Sequence, residues 1–184
     1  MILPLFRRNR PPDTISSLYG MIVAQARSPV FYREYGVPDT IGGRFDLLLL
    51  HLALVVERLM REEGAKAVGQ GLFDRFCADM DDNLREMGIG DLAVPKHMKR
   101  VGEAFYGRSQ AYQEALLAAD DAALVEALGR NVYAGAPPAA AVTRLATYIR
   151  AVAAALARQP VDALTAARLD LPDPATVLSP VEKA

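Results

Sequence analysis

Few residues of this chain could do acid–base, nucleophilic or metal chemistry, and their spacing argues against it. His51 and His97 are the only histidines. They fall on separate helical segments, outside any HExxH or C-x-x-C pattern. His51 reads as a helix residue in line with Arg44 and Arg58, and His97 as part of a basic face. Asp79, Asp81 and Asn83 offer oxygen ligands at alternate positions, as a calcium loop does. The glycine such a loop needs at its sixth position is Leu84, however, and its twelfth position is Gly90 in place of Glu. Arg75 with Asp79, and Asp81 with Arg85, sit four apart, the spacing of a solvated helix face. Gly42-Gly43 and Gly69-Gln70-Gly71 lack the Lys-Ser/Thr of a phosphate-binding loop and follow no strand. Ser16, Ser17, Ser28, Ser109 and Cys77 have no nucleophile-elbow context. The expectation is a protein that is not an enzyme, with no catalytic residue, no metal ligand set and no cofactor.

Charge patterning says more. From Asp74 to Asp91 six acids face two bases, a net of −4, and from Lys96 to Arg108 four bases face Glu103, a net of +3. Two such neighbouring helices could pair with each other. Alternatively the basic face meets RNA, anionic lipid or an acidic partner segment. The whole chain of 184 residues carries a formal charge of −1, with 21 Lys and Arg against 22 Asp and Glu. That balance excludes a strongly basic, whole-surface binder of nucleic acid, and no DNA partner is expected. The single Cys77 cannot form an internal disulfide, which suits a reducing compartment.

The elements that must position these groups are helical throughout. Half of the residues are hydrophobic, 52%, and they recur at helical spacing with no sustained strand-like alternation. Asp13 or Thr14 caps a helix on Ile15, Leu18, Ile22 and Ala26, and Phe31, Tyr32 and Tyr35 form an aromatic turn before Gly36-Val37-Pro38. Asp39 or Thr40 opens a helix to about Met60 that is apolar on nearly every face and therefore central. Gly42 and Gly43 would let another backbone approach its first turns. A helix on Phe73, Phe76, Met80, Leu84 and Met87 ends at Gly88-Ile89-Gly90. Pro95 starts the next, with Met98, Val101, Phe105, Tyr112 and Leu116 inward. A short helix on Leu124, Leu128 and Val132 and a last one on Val142, Leu145, Ile149, Val152 and Leu156 complete the pattern. The fold class is all-α, a single compact domain of six or seven helices with a flexible C-terminal tail. Residues 1–12 read as a short basic arm, 13–159 as the helical domain and 160–184 as the proline-containing tail.

No span reads as transmembrane; the most apolar run, Leu47 to Val56, is far short of the ~20 residues a bilayer needs. The first ten residues place their charges after the apolar ones, the reverse of a secretory signal. The expected location is the cytoplasm. Arg7, Arg8 and Arg10 behind Ile2, Leu3, Leu5 and Phe6 add a candidate peripheral contact at the inner face of the cytoplasmic membrane.

A series of phrases resembles the ubiquinol–cytochrome c chaperone family, assembly factors for respiratory complex III. They run from Leu18-Tyr19 with Gln25-Ala26-Arg27, through Phe31-Tyr32, Gly36-Val37-Pro38-Asp39-Thr40, Gly43-Arg44-Phe45-Asp46 and Phe73-Asp74. Asp79-Met80-Asp81, Leu84-Arg85-Glu86-Met87-Gly88, Gly90-Asp91-Leu92, Val94-Pro95-Lys96, Phe105-Tyr106-Gly107-Arg108 and Ala111-Tyr112 follow in order. The resemblance implies an all-helical, non-enzymatic chaperone, here in a bacterial form, whose partner is cytochrome b or another complex III subunit. Mitochondrial relatives act near the ribosome exit tunnel, so the ribosome is a further candidate partner. A holder of a polytopic membrane protein needs an adaptable apolar groove with charges at its rim. Candidate groove residues are Phe31, Tyr32, Tyr35 and Phe45, joined by Met80, Met87 and Met98. Candidate rim residues are Arg44, Asp81, Lys96, Lys99, Arg100 and Arg108. The rival expectation is a ribosome- or RNA-associated module using the basic helix around residues 96–108.

Overall fold

The computed structural model describes residues 13–133 and 137–177. The basic arm 1–12, with its arginines, lies outside the described residues, as do 178–184. Eight α-helices and one 3₁₀ turn make up the described chain, which contains no strand. Six of the helices are longer than ten residues: α1 (Thr14–Ala26), α3 (Ile41–Met60), α4 (Lys66–Glu86), α5 (Val94–Leu117), α6 (Ala122–Val132) and α7 (Ala139–Arg158). Two are short, α2 (Val30–Arg33) and α8 (Val161–Thr165). The all-helical reading therefore holds.

The middle of the bundle is α3, which packs against α1, α4, α5, α6 and α7. Its leucine-rich run leaves no polar face, and every residue from Leu47 to Val56 is buried. Thr40 caps it, its hydroxyl accepting from the Gly43 N–H at 3.1 Å. A Cβ on Gly43 would lie 2.0 Å from the Pro38 carbonyl oxygen, so the loop entering α3 can fold back over its first turn only because this residue has no side chain. Asp13 caps α1 in the same way, accepting from Ser16 N–H at 2.7 Å.

By length and composition α7 could cross a membrane, where the sequence predicts no span that qualifies. Leu145, Ala146, Tyr148, Ile149 and Val152 on α7 are fully buried, and α7 packs on α3 and α6. Its apolar stripe belongs to the core.

The packed body extends past the expected boundary at 159. Leu164 and Leu169 are buried, and the Gln159 side chain brackets Asp170, donating to its carbonyl at 2.7 Å and accepting from its N–H at 2.9 Å. Gln25 donates to the Pro172 carbonyl at 2.8 Å and the Tyr35 hydroxyl to the Pro174 carbonyl at 2.7 Å. Pro172 and Pro174 lie outside any helix, so their carbonyls have no ladder partner, and side chains of the body use them as anchor points.

Candidate functional site

Two apolar stripes diverge at one end of the bundle. On α3, Ile41, Phe45 and Leu48 follow the i, i+4, i+7 spacing of one helix face; Met80 and Leu84 on α4, with Met87 at its C-cap, do the same. Between them lies a groove of about 580 Å³. Val23 of α1 and Arg27 just after it close one side and Val101 of α5 another, with Gly42, Arg44 and Asn83 at its edges. This volume falls in the ~300–1,000 Å³ range of pockets that take sizeable ligands. The groove faces water: Ile41 is 81% exposed and Met87 60% exposed.

Next to the groove, aromatic rings join the same helices. Phe45 meets Phe76 at a centroid distance of 6.3 Å, Phe76 meets Phe105 at 6.2 Å, and Phe73 meets Phe105 at 4.7 Å. These contacts fasten α3, α4 and α5, and Phe45 forms the inner end of the groove. Arg108 makes an ion pair with Asp46, both mostly out of water, and its guanidinium lies 5.9 Å from the Phe45 ring. Burial pushes the Asp46 carboxyl above its ordinary value even with Arg108 against it. The Tyr19 hydroxyl donates to Asp79 at 2.8 Å and ties α1 to α4, which fixes the remaining wall.

Of the residues expected to line the groove, Phe45, Met80 and Met87 do so, and Arg44 stands at its rim. Arg44 donates to Asp39 at 2.7 Å and sits 5.8 Å from the ring of half-buried Tyr32. Phe31 and Tyr35 do not line it; both are fully buried. Phe31 on α2 and Tyr35 in the turn after it both point their rings inward, where they meet Tyr148 of α7 at 5.1 and 5.9 Å. Burial pushes the Tyr35 phenol up to about 12. Arg108 is a brace between α3 and α5, not a rim charge, because Asp46 is within its reach. Asp81 pairs with Arg85 at 2.6 Å, and Arg85 also holds Asp91. Met98 is half-buried on α5 and does not line the groove. Lys96, Lys99 and Arg100 are exposed on the outer side of α5. Lys99 lies 3.8 Å from Glu103. Among the described residues no ion pair joins the acidic face of α4 to these bases. The sequence reading missed Val23, Arg27, Ile41, Leu48, Leu84 and Val101 as lining residues. The paired i, i+4, i+7 stripes were the signal for the α3 and α4 members.

Among the described residues no group of three or more His, Cys, Asp or Glu converges as a metal site. His51 is wholly buried. Its Nδ1–H donates to the Leu47 carbonyl at 2.7 Å, and its Nε2 accepts from the Tyr148 hydroxyl at 3.0 Å. That hydroxyl in turn accepts from Gln25 at 2.8 Å. Burial lowers the imidazole from 6.5 to about 4, so the ring is a neutral member of the core. The chemistry available in the groove is apolar contact with a charged rim.

Known proteins resemble this chain in sequence and in fold. The profile of the family described as ubiquinol-cytochrome C chaperone matches residues 33–171. The ubiquinol-cytochrome-c reductase complex assembly factor 1 of Xenopus laevis is 26% identical over 116 residues, which cover 62% of this chain and 58% of that protein. Its Drosophila melanogaster counterpart is 26% identical over 153 residues, covering 79% and 58%. This chain thus spans somewhat more than half the length of these relatives. The crystal structure of the Cbp3 homolog from Brucella abortus superposes with a TM-score of 0.81 at 37% identity, covering 88% of this chain and 90% of that one.

Proposed function

This chain belongs to the ubiquinol–cytochrome c chaperone family, and on that premise we propose that it is a non-enzymatic assembly chaperone for the ubiquinol–cytochrome c reductase complex. Its proposed client is newly made cytochrome b, and its proposed place of work is the cytoplasm at the inner face of the cytoplasmic membrane. The observation that carries this reading is the groove of about 580 Å³ between α1, α3, α4 and α5, with Ile41 and Met87 held out in water at its mouth. A soluble domain exposes large aliphatic side chains along a cleft at a cost in solubility, which a client segment that covers them removes. Methionines on one wall adapt to unlike side chains, as a holder of several apolar segments requires. Arg27 and Arg44 at the rim suit acidic or carbonyl-rich ends of such a segment. Release follows when haem insertion or subunit docking hides the recognised surface, so the cycle runs on differential affinity without a nucleotide.

The test is to purify the tagged chain from its native host under mild detergent and identify what accompanies it. Enrichment of cytochrome b is the expected result. Ribosomal components without any complex III subunit would replace this reading by the RNA-associated one.

A further inference from the structure

The outer side of the α4–α5 hairpin has no task in the groove, yet it is built with care. Gly88, at φ +82, ends α4, and the Ile89 N–H returns to the Leu84 carbonyl at 3.0 Å. The next turn is fixed by Ala93 N–H and Val94 N–H, both donating to the Gly90 carbonyl, at 2.8 and 3.2 Å. Arg85 clamps Asp91 beside it and neutralises the only acid of the turn. The result is a pinned turn that holds Leu92 99% exposed.

Because Val94 N–H already reaches back four residues, the turn runs into α5 in helical phase. Positions 92, 96, 99 and 100 then follow i, i+4, i+7 and i+8 and share one line. The opposite line, Val94, Met98, Val101 and Phe105, is the one turned toward the body, with Val94 and Phe105 buried. The outer line is thus a leucine apex followed by Lys96, Lys99 and Arg100. Lys96 and Arg100 have no ion-pair partner among the described residues, and residues 88–102 carry a net charge of +2.

We propose that this hairpin tip docks on an anionic lipid bilayer, with Leu92 entering the interface and Lys96, Lys99 and Arg100 lying against the headgroups. Basic residues near an anionic surface and an apolar side chain beside them act together, each alone being marginal. Single-stranded RNA fits less well, because the exposed apex is an aliphatic side chain and offers bases no ring to stack on. Docking by this tip would bring the groove mouth to the membrane, since Met87 precedes the turn and Val101 follows the bases by one residue. The inference stands whether or not cytochrome b is the client, and its test contains no client.

The experiment is co-sedimentation of the purified full chain with vesicles of phosphatidylcholine alone, or with a third of the lipid replaced by phosphatidylglycerol. Binding to the anionic vesicles only is expected. Lys96→Ala/Lys99→Ala/Arg100→Ala should weaken it on the order of 100-fold and Leu92→Ser roughly 10-fold. Leu117→Ser, a change at a residue 76% exposed elsewhere, should leave it unchanged. These five residues lie on the surface, and circular dichroism checks that each variant is folded. Absence of binding to anionic vesicles overturns the proposal. So does binding that both tip variants retain and Arg7→Ala/Arg8→Ala/Arg10→Ala abolishes. RNA capture that needs the three bases but not Leu92, with no vesicle binding, overturns it in favour of nucleic acid.

Discussion

Removing the exposed side chains at the groove mouth should separate client binding from folding. Ile41 is 81% exposed and Met87 60% exposed, so folding has already taken only a minor part of the burial each can offer. Complete burial of such a side chain is worth about 1.5–3 kcal/mol. The part left for a client is therefore about 1.5–2 kcal/mol at Ile41 and about 1–1.5 kcal/mol at Met87. An Ile41→Ala/Met87→Ala variant should lose about 3 kcal/mol of client affinity, on the order of 100-fold in Kd. Its folding stability should move by no more than ~0.5 kcal/mol, as for ordinary surface changes. The assay is fluorescence anisotropy with a labelled cytochrome b transmembrane segment flanked by solubilising lysines, with thermal melts run on the same samples. Leu117→Ala, an exposed aliphatic outside the groove, serves as the control and should bind normally. An unchanged Kd in the folded double variant would show that these side chains do not meet the client, and a melt that collapses would show that they belong to the core.

Three further outcomes follow from the interior. Gly43→Ala should destabilise the fold by about 2 kcal/mol or more, because its Cβ would meet the Pro38 carbonyl oxygen at 2.0 Å and the loop must move; chemical denaturation measures it, and a neutral result would contradict the close approach. His51 takes up a proton in the unfolded chain near its ordinary 6.5 but in the folded one only near 4. Its contribution is therefore complete above pH 6.5 and lost as pH falls toward 4, by up to about 3 kcal/mol. Urea midpoints against pH for wild type and His51→Leu should show this slope only in the former. Arg108→Ala should cost about 2 kcal/mol by leaving the half-buried Asp46 unpaired, and Arg108→Ala/Asp46→Ala should cost less than the two single changes together.

The helices were legible because α3, α4 and α7 carry long apolar patterns bounded by Thr40, Gly88 and Pro138, and such signals are local. Phe45, Met80 and Met87 were found for the same reason: each stands on a stripe that a helix must turn to one side. Whether a stripe faces the core or water depends on what packs over it, and sequence spacing does not contain that. Phe31 and Tyr35 share the aromatic character of a binding turn, yet α2 and the turn after it fold them onto Tyr148, more than a hundred residues away in the chain. Arg108 could be read as a free rim charge only until Asp46 was found beside it. The docked segment after 159 was hidden by its prolines, since its anchoring uses backbone carbonyls that any sequence would supply. Ile41 escaped notice because it is a lone aliphatic after a cap, and only the gap between α3 and α4 gives it a role.

The proposed function requires that the groove between α3 and α4 hold cytochrome b during assembly. Its most direct test is a photo-crosslinking amino acid placed in turn at Ile41, Met87 and Leu117 of the full chain, irradiated in cells that are assembling the complex. Adducts with cytochrome b from Ile41 and Met87, and none from Leu117, are the expected result. Cytochrome b adducts absent from both groove positions, or formed only at Leu117, would contradict the claim.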